Sequence, residues 1–419
     1  MSENRRALWA LYLTRFAAGF GVITLLTLLP EFVDAFDPTG LQLGLFTAGL
    51  TLAQTVAVVP LAHWADVGDK RRVLLASLAV SVAAYVGFTL VDSSWSFIAA
   101  RGAQGIAITG TGLLSLAMVG ELSPPGETAN TIGKANAARF LASIVGTLAA
   151  GSLFEAYGFD VVFWVLVALL APALVAVWLF VDPDESRAEG FKFDDLALNR
   201  RIITLSTFRV QYAFAVTMVR TWVPIYAGVE ATRRGGLEMG AVAVSVVIAA
   251  EKATNMVCQP YTGRLSDRFG RGTFVAVGGA GYGLVALSIP LAPDAGTALA
   301  GALGGAPSVP LVGAPPASFL PLVALNGLLG VADSFREPAS MALFAEEGTD
   351  AGGVASSFGV RELVWRPGSV VGPLVAGFLT TGAGIVWVFV VGAATAFTGV
   401  AAFLVASRVL LGERSVRDW

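Results

Sequence analysis

Long apolar runs alternate with short polar stretches along the whole chain. A bilayer core of about 30 Å takes about 20 mostly apolar helical residues per crossing. Runs of that length lie near 8–30, 41–63, 73–91, 95–119, 128–153 and 160–181 in the first half. They recur near 202–228, 239–262, 273–292, 318–344, 353–381 and 384–410 in the second. This pattern predicts an all-α integral membrane protein of twelve transmembrane helices, in two six-helix bundles over residues 1–181 and 202–419. Between them, Asp182–Arg201 carries Asp184, Glu185, Arg187, Glu189, Lys192, Asp194 and Asp195, and reads as a linker. Ala292–Ala317, rich in Ala, Gly and Pro and charged only at Asp294, reads as a second irregular loop. The first run carries Arg15, lacks a cleavage site and is too long for a signal-peptide core, so it reads as a helix.

Composition narrows the function. Only 14% of the 419 residues are charged, against about a quarter in a soluble globular protein. An ordinary soluble enzyme is thereby excluded, and a net charge of -3 offers no basic surface for nucleic acid. One His (His63) and one Cys (Cys258) supply neither a disulfide framework nor a Cys/His metal centre, and no cofactor is expected. The same scarcity leaves a nucleophile–base constellation without parts, so the chain does not read as an enzyme. It holds no GxxxxGK[ST] run for ATP, and two unequal halves give no ring-like channel filter.

Lys and Arg placement sets an expected orientation. With the N-terminus inside, Arg5, Arg6, Lys70, Arg71, Arg72, Lys134, Arg264, Arg268, Arg271, Arg408, Arg414 and Arg417 fall on the cytoplasmic side, as does the linker with Arg187, Lys192, Arg200 and Arg201. Only Arg233 and Arg234 fall outside, in company with Glu31, Asp34, Asp92, Glu155 and Asp160. Both termini are then cytoplasmic in a multi-pass protein of the cell membrane. Trp9, Trp64, Trp95, Trp178 and Trp222 lie near segment ends, where an interfacial belt would place them.

The halves echo each other. Gly133, Gly146 and Gly151 recur with identical spacing as Gly359, Gly372 and Gly377, and Gly105 is matched by Gly330. Internal duplication of this kind is common among secondary transporters. The loop after the eighth run reads Gly263-Arg-Leu-Ser-Asp267-Arg268-Phe-Gly270-Arg271, with a small first residue suited to close helix contact. A weaker copy follows the second run, from Ala62 through Asp66, Val67, Asp69 and Lys70 to Arg71 and Arg72.

This pair resembles the GxLxDRxGRR loop signature of the major facilitator superfamily, which recurs between helices 2 and 3 and between 8 and 9. The resemblance covers essentially the whole chain. The first copy departs from it at Ala62, Val67 and Asp69. It implies a latch in which Asp66, Arg71, Gly263, Asp267, Arg268 and Arg271 act in gating rather than in binding. Arg101-Gly-Ala-Gln104-Gly105 is similar to the family's RxxQG element, although an Arg snorkelling near a segment end would read the same way. Gly146–Gly151 looks like the GPxxGG element of drug antiporters without its proline, whereas Gly372-Pro373 keeps the Gly-Pro.

Charges inside the apolar runs carry the rest of the functional reading. They are Arg15, Arg101, Arg139, Arg209, Arg220, Lys252, Arg336, Arg361 and Arg366, with Glu251, Asp333, Glu337 and Glu362. Segments 3, 6, 9 and 12 have none and should face lipid, because intramembrane charge belongs against a bundle interior or a water-filled cavity. The resemblance implies that helices 1, 4, 7 and 10 line such a cavity. Arg209 and Arg220 stand about three turns apart on one helix face, and Glu362 and Arg366 have i,i+4 spacing. Pairing cannot neutralise nine bases with four acids, and surplus positive charge in a cavity concentrates anions. Arg15, Arg101, Arg209, Arg220 and Arg336 are therefore the candidate cavity residues, and Glu251 and Asp333 the candidate coupling acids.

The expected activity is secondary transport of a small, anionic organic solute by alternating access. The expected partners are that solute, the lipid bilayer and a coupling ion. The ion is taken as the proton, with Na⁺ as the alternative because four Lys against twenty-three Arg suggests a GC-rich prokaryotic genome such as a halophilic archaeon's. A drug/proton antiporter exporting amphipathic compounds is the second reading.

Overall fold

The structure is a computed structural model and describes residues 3–124, 127–183, 199–305, 308–310, 312–350 and 354–412. The first half holds α1 (Glu3–Thr27), α2 (Leu29–Phe36), α3 (Gly40–Val67), α4 (Lys70–Phe88), α5 (Ser94–Glu121) and α6 (Thr128–Phe180). The second holds α7 (Arg200–Gly228), α8 (Ala231–Arg234), α9 (Ala241–Phe269), α10 (Arg271–Ser288), α11 (Ala292–Leu303), α12 (Phe319–Asp350), α13 (Val354–Gly382) and α14 (Val386–Leu411). Ten helices among the described residues are long and apolar enough to cross a membrane. That number is two short of the twelve crossings expected. The 53 residues of α6 are two helices joined at Gly158, since a straight helix of that length would measure about 80 Å. The other is α13, whose Arg361, Glu362 and Arg366 lower its apolarity.

Local chemistry starts and stops these helices. Asn199 caps α7 by accepting from Ile202 N at 2.7 Å, and Ser93 forms a reciprocal capping box with Ser96 at the start of α5. At Gly158 the backbone has φ 77 and ψ -173, a region essentially reserved for glycine.

The described chain divides into two compact units. One contains Met1–Pro38 and Leu45–Phe191, the other Thr39–Gly44 and Lys192–Trp419. In the first, α1 packs on α5 and α6, and α4 on the same two helices. Its core is aromatic, with Phe32 and Phe97 centroids 4.5 Å apart, Phe32 and Phe159 4.3 Å, and Phe46 and Phe97 4.5 Å. In the second, α7 packs on α13 and α14, α9 on α12, and α10 on α12 and α14.

The repeated glycines mark equivalent crossings. A Cβ on Gly105 would lie 2.5 Å from the Leu50 carbonyl oxygen, and one on Gly330 would lie 2.2 Å from that of Glu251. Gly146 is pressed against Phe20 and Ile23, and Gly372 against Phe214. Small residues here let helix backbones touch. Gly133 has no such neighbour among the described residues, so close packing there does not account for its place in the repeat.

Three expectations are corrected. Trp222 is fully buried rather than interfacial, and its Nε1 donates to Thr380 Oγ1 at 2.6 Å. The supposedly irregular Ala292–Ala317 stretch contains α11, whose first turn carries Pro and Asp294 as helix starts often do. Gly263 is not required for close contact, because among the described residues a Cβ there would meet only Pro338 Cβ, at an ordinary 3.7 Å. Most of the Asp182–Arg201 linker, residues 184–198, lies outside the described residues.

Candidate functional site

In the second unit the intramembrane charges other than Arg366 form one alternating row. Lys252 Nζ lies 2.6 Å from Glu251 Oε2, and Glu251 Oε1 accepts from Arg220 Nη2 at 2.7 Å. The same Arg220 nitrogen reaches Asp333 Oδ2 at 3.1 Å. Asp333 Oδ1 accepts from Arg336 Nη2 at 2.6 Å and from Arg336 Nε at 3.1 Å. Arg336 also bonds Glu337, which accepts from Arg361 Nη2 at 2.8 Å. Arg361 Nη1 donates to Glu362 at 2.8 Å, and Arg209 Nη2 closes the row 3.6 Å from the same carboxylate. Four helices contribute: α7, α9, α12 and α13.

Burial explains why the row is continuous. Glu251, Asp333 and Arg336 are buried, and an ion withdrawn from water persists only when paired and hydrogen-bonded. Neutral groups fill the remaining positions. Asn255 Nδ2 donates to Asp333 Oδ2 at 3.2 Å, and Gln259 Nε2 donates to Asn255 Oδ1 at 2.6 Å. The Arg336 guanidinium lies 4.3 Å from the Tyr212 ring centroid, and that of Arg209 lies 4.7 Å from Trp365. Arg209 Nε donates to the Arg361 carbonyl at 2.7 Å.

The first unit treats its cations differently. Arg15 is 7% exposed, and its bonds go to neutral acceptors, Gly112 O at 3.1 Å and Asn136 Oδ1 at 2.8 Å. Its Nε has no hydrogen-bond partner among the described residues. Arg101 does not snorkel. It is buried, donating from Nε to Phe46 O at 2.8 Å and from Nη1 to Gln104 Oε1 at 2.7 Å. Gln104 in turn donates to Tyr85 OH at 2.7 Å.

Of the candidate cavity residues, Arg209, Arg220 and Arg336 thus join the candidate acids Glu251 and Asp333 in one row, with Arg15 and Arg101 in the other unit. The expected Glu362–Arg366 pair does not form. Glu362 turns to Arg361 and Arg209, and Arg366 makes no ion pair among the described residues. Asn136, Asn255 and Gln259 are polar partners that sequence reasoning missed. The last two were legible, one and two turns beyond Glu251 on α9. Asn136 lies 121 residues from Arg15 and gave no local signal.

The two loop motifs are unequal. Arg271 donates from Nε to Asp267 Oδ1 at 2.8 Å and also pairs with Glu346 of α12, a partner the sequence did not suggest. Gly263 lies one turn before Asp267, and Arg268 is exposed and unbonded among the described residues. In the first copy Asp66 makes no hydrogen bond or ion pair among the described residues. Asp69, a departure from the signature, instead caps α4 by accepting from Arg71 N at 2.9 Å, while Arg71 Nη2 donates to Trp178 O at 2.5 Å.

The Major Facilitator Superfamily sequence model matches residues 11–314. No curated protein matches the sequence. Among solved structures, a bacterial homolog of the human lysosomal transporter Spinster, in an inward-facing and unoccupied conformation, has a TM-score of 0.73 at 16% identity. The match covers 98% of each chain. A POT family transporter in complex with 5-aminolevulinic acid has a TM-score of 0.72 at 11% identity, with 97% of each chain covered. Both likenesses concern the fold.

Proposed function

The chain belongs to the major facilitator superfamily of multi-pass secondary transporters, and on that premise we propose that it moves a small organic anion by alternating access, coupled to protons through Glu251 and Asp333. The observation that carries this reading is the sharing of Arg220 Nη2 between the two acids, at 2.7 and 3.1 Å. A solute anion that engages Arg220 competes with both carboxylates. The acid that loses its cation while buried is driven to take up a proton, since burial disfavours its charged form. Solute binding and proton binding are then linked through one guanidinium. Arg336, held by Asp333 and Glu337, keeps the row aligned while Arg220 changes partners.

The loop elements fit a gating role. Asp267 and Glu346 both hold Arg271, joining the ends of α9, α10 and α12 within the second unit. The concentration of Lys and Arg at these loops supports a cytoplasmic placement for them and for both termini.

The test is flux in proteoliposomes, comparing labelled organic anions with labelled amphipathic cations, with and without a proton gradient. Gradient-driven anion movement supports the proposal. Movement of cations alone would favour the drug/proton antiporter suggested by Arg101, Gln104 and Gly105, and a matched Na⁺ gradient tests the other coupling ion.

A further inference from the structure

The row of charges has an accessible side, and that side is built on α9. Lys252 and Arg220 flank the buried Glu251 carboxylate, one on each oxygen. Their side chains retain 22% and 32% exposure, against 6% for Glu251 between them. A sealed acid thus holds two open cations side by side.

Most of their hydrogen-bonding capacity is unused. A guanidinium has five N–H donors and an ammonium three. Among the described residues Arg220 bonds only through Nη2, and Lys252 makes a single bond, to Glu251. Arg220 Nε and Nη1 are not among the buried atoms lacking a partner, so these donors remain open to solvent. The row contains five cations, Lys252, Arg220, Arg336, Arg361 and Arg209, against the carboxylates of Glu251, Asp333, Glu337 and Glu362. One added negative charge balances it. Asn255 and Gln259 continue from Lys252 at i+3 and i+7, on the same face of α9. They carry polar groups about 10 Å along the helix from the cation pair.

We propose that Lys252 and Arg220 form a subsite for a single anionic group, carboxylate or phosphate monoanion, and that Asn255 and Gln259 read hydrogen-bonding groups further along the same solute. This deepens the reading of the protein as an anion transporter and rests on it. Arg220 presents its free edge to two oxygens, and Lys252 adds a point charge that fits either anion. The neutral part of the solute then lies along α9 rather than against the sealed Asp333–Arg336 pair.

Calorimetry on purified protein tests this with hippurate, a monocarboxylate carrying an amide, with its neutral counterpart hippuramide, and with phenyl phosphate at a pH where it is a monoanion. Hippurate is expected to bind at least tenfold tighter than hippuramide. Lys252→Gln should weaken hippurate about tenfold and leave hippuramide unchanged, Lys252→Arg should restore it, and Gln259→Ala should weaken both alike. Comparison with phenyl phosphate distinguishes the two anion classes. Reductive methylation of the unaltered protein gives a readout independent of any variant: hippurate should protect Lys252 while Lys134 continues to react. If the wild type binds none of the anions, both this subsite and the anion-transport reading fall. If it binds hippurate, but Lys252→Gln binds it equally and Lys252 stays unprotected, the subsite alone is overturned.

Discussion

Arg220 Nη2 stands 2.7 Å from the Glu251 carboxylate, and the same nitrogen also serves Asp333. The acids have unequal reserves. Without Arg220, Glu251 keeps only Lys252, whereas Asp333 keeps Arg336, Asn255 and a long 3.5 Å contact from Tyr212 OH. Glu251 is thus the acid whose charge state depends more on where Arg220 points. Glu251→Gln is expected to abolish gradient-driven accumulation in proteoliposomes while solute exchange persists, with Asp333→Asn giving the weaker form of the same split. Undiminished accumulation by both variants would move coupling to another group.

Arg336 lies between two carboxylates and is 2% exposed. Arg336→Leu should destabilise by roughly 3–5 kcal/mol, because it leaves buried acid charge unpaired. Removing the Asp333 charge as well, in Arg336→Leu/Asp333→Leu, should recover most of that loss, since Glu337 keeps Arg361 and Arg220 keeps Glu251. Thermal unfolding in detergent measures both steps.

The aspartates of the two loop copies should separate under substitution. Asp69→Ala removes the cap of α4 and should cost about 1 kcal/mol, while Asp66→Ala should leave stability nearly unaltered. Asp267→Asn weakens the hold on Arg271, which still has Glu346. Its stability should change little, but transport should slow while hippurate affinity stays near wild type. Lost affinity with an unchanged transport rate would place Asp267 in binding instead.

Outside the spans, α2 carries Glu31, whose carboxyl is pushed up to about 7 by burial and by the nearby acids Asp34 and Glu155. The folded state thus holds this proton more tightly than the unfolded chain, whose Glu titrates near 4.5. Its contribution to stability is fully present below 4.5 and is lost as pH rises to about 7. Glu31→Gln should flatten the melting temperature over that window and gain on the wild type as pH rises. Parallel curves for the two proteins would show that Glu31 does not carry the dependence.

Two glycines offer a matched comparison. Gly330→Ala drives a methyl into the Glu251 carbonyl and Thr254 Oγ1, whereas Gly263→Ala makes only an ordinary contact with Pro338. The first should lower both melting temperature and hippurate affinity, because it displaces the backbone that carries Glu251. The second should be close to neutral in both.

Helix existence was legible because crossing a bilayer demands length and apolarity, and both can be read residue by residue. The predicted 202–228 and 353–381 runs agree with α7 and α13 to within two residues. Pairing was not legible in the same way. Glu362 stands at i,i+4 from Arg366, yet it joins Arg361, the residue before it on α13, and Arg209, which α7 brings within reach. Trp222 likewise looked interfacial by position along its segment, while its depth in the fold depends on Thr380, 158 residues away. Spacing along one helix specifies a face, and only packing decides what that face meets.

The alternating row also has an electrical meaning. Charges of opposite sign placed side by side cancel one another at a distance, so these nine groups act on their surroundings nearly as a single positive charge. An elementary charge crossing the full membrane potential exchanges about 2.3 kcal/mol per 100 mV. The row in its empty state would sense voltage as one charge; a bound monoanion cancels that charge, and the proton taken up with it restores it. For this row, the membrane potential would then act alike on the empty form and on the form carrying both anion and proton, and hardly at all on an anion-bound form before its proton arrives.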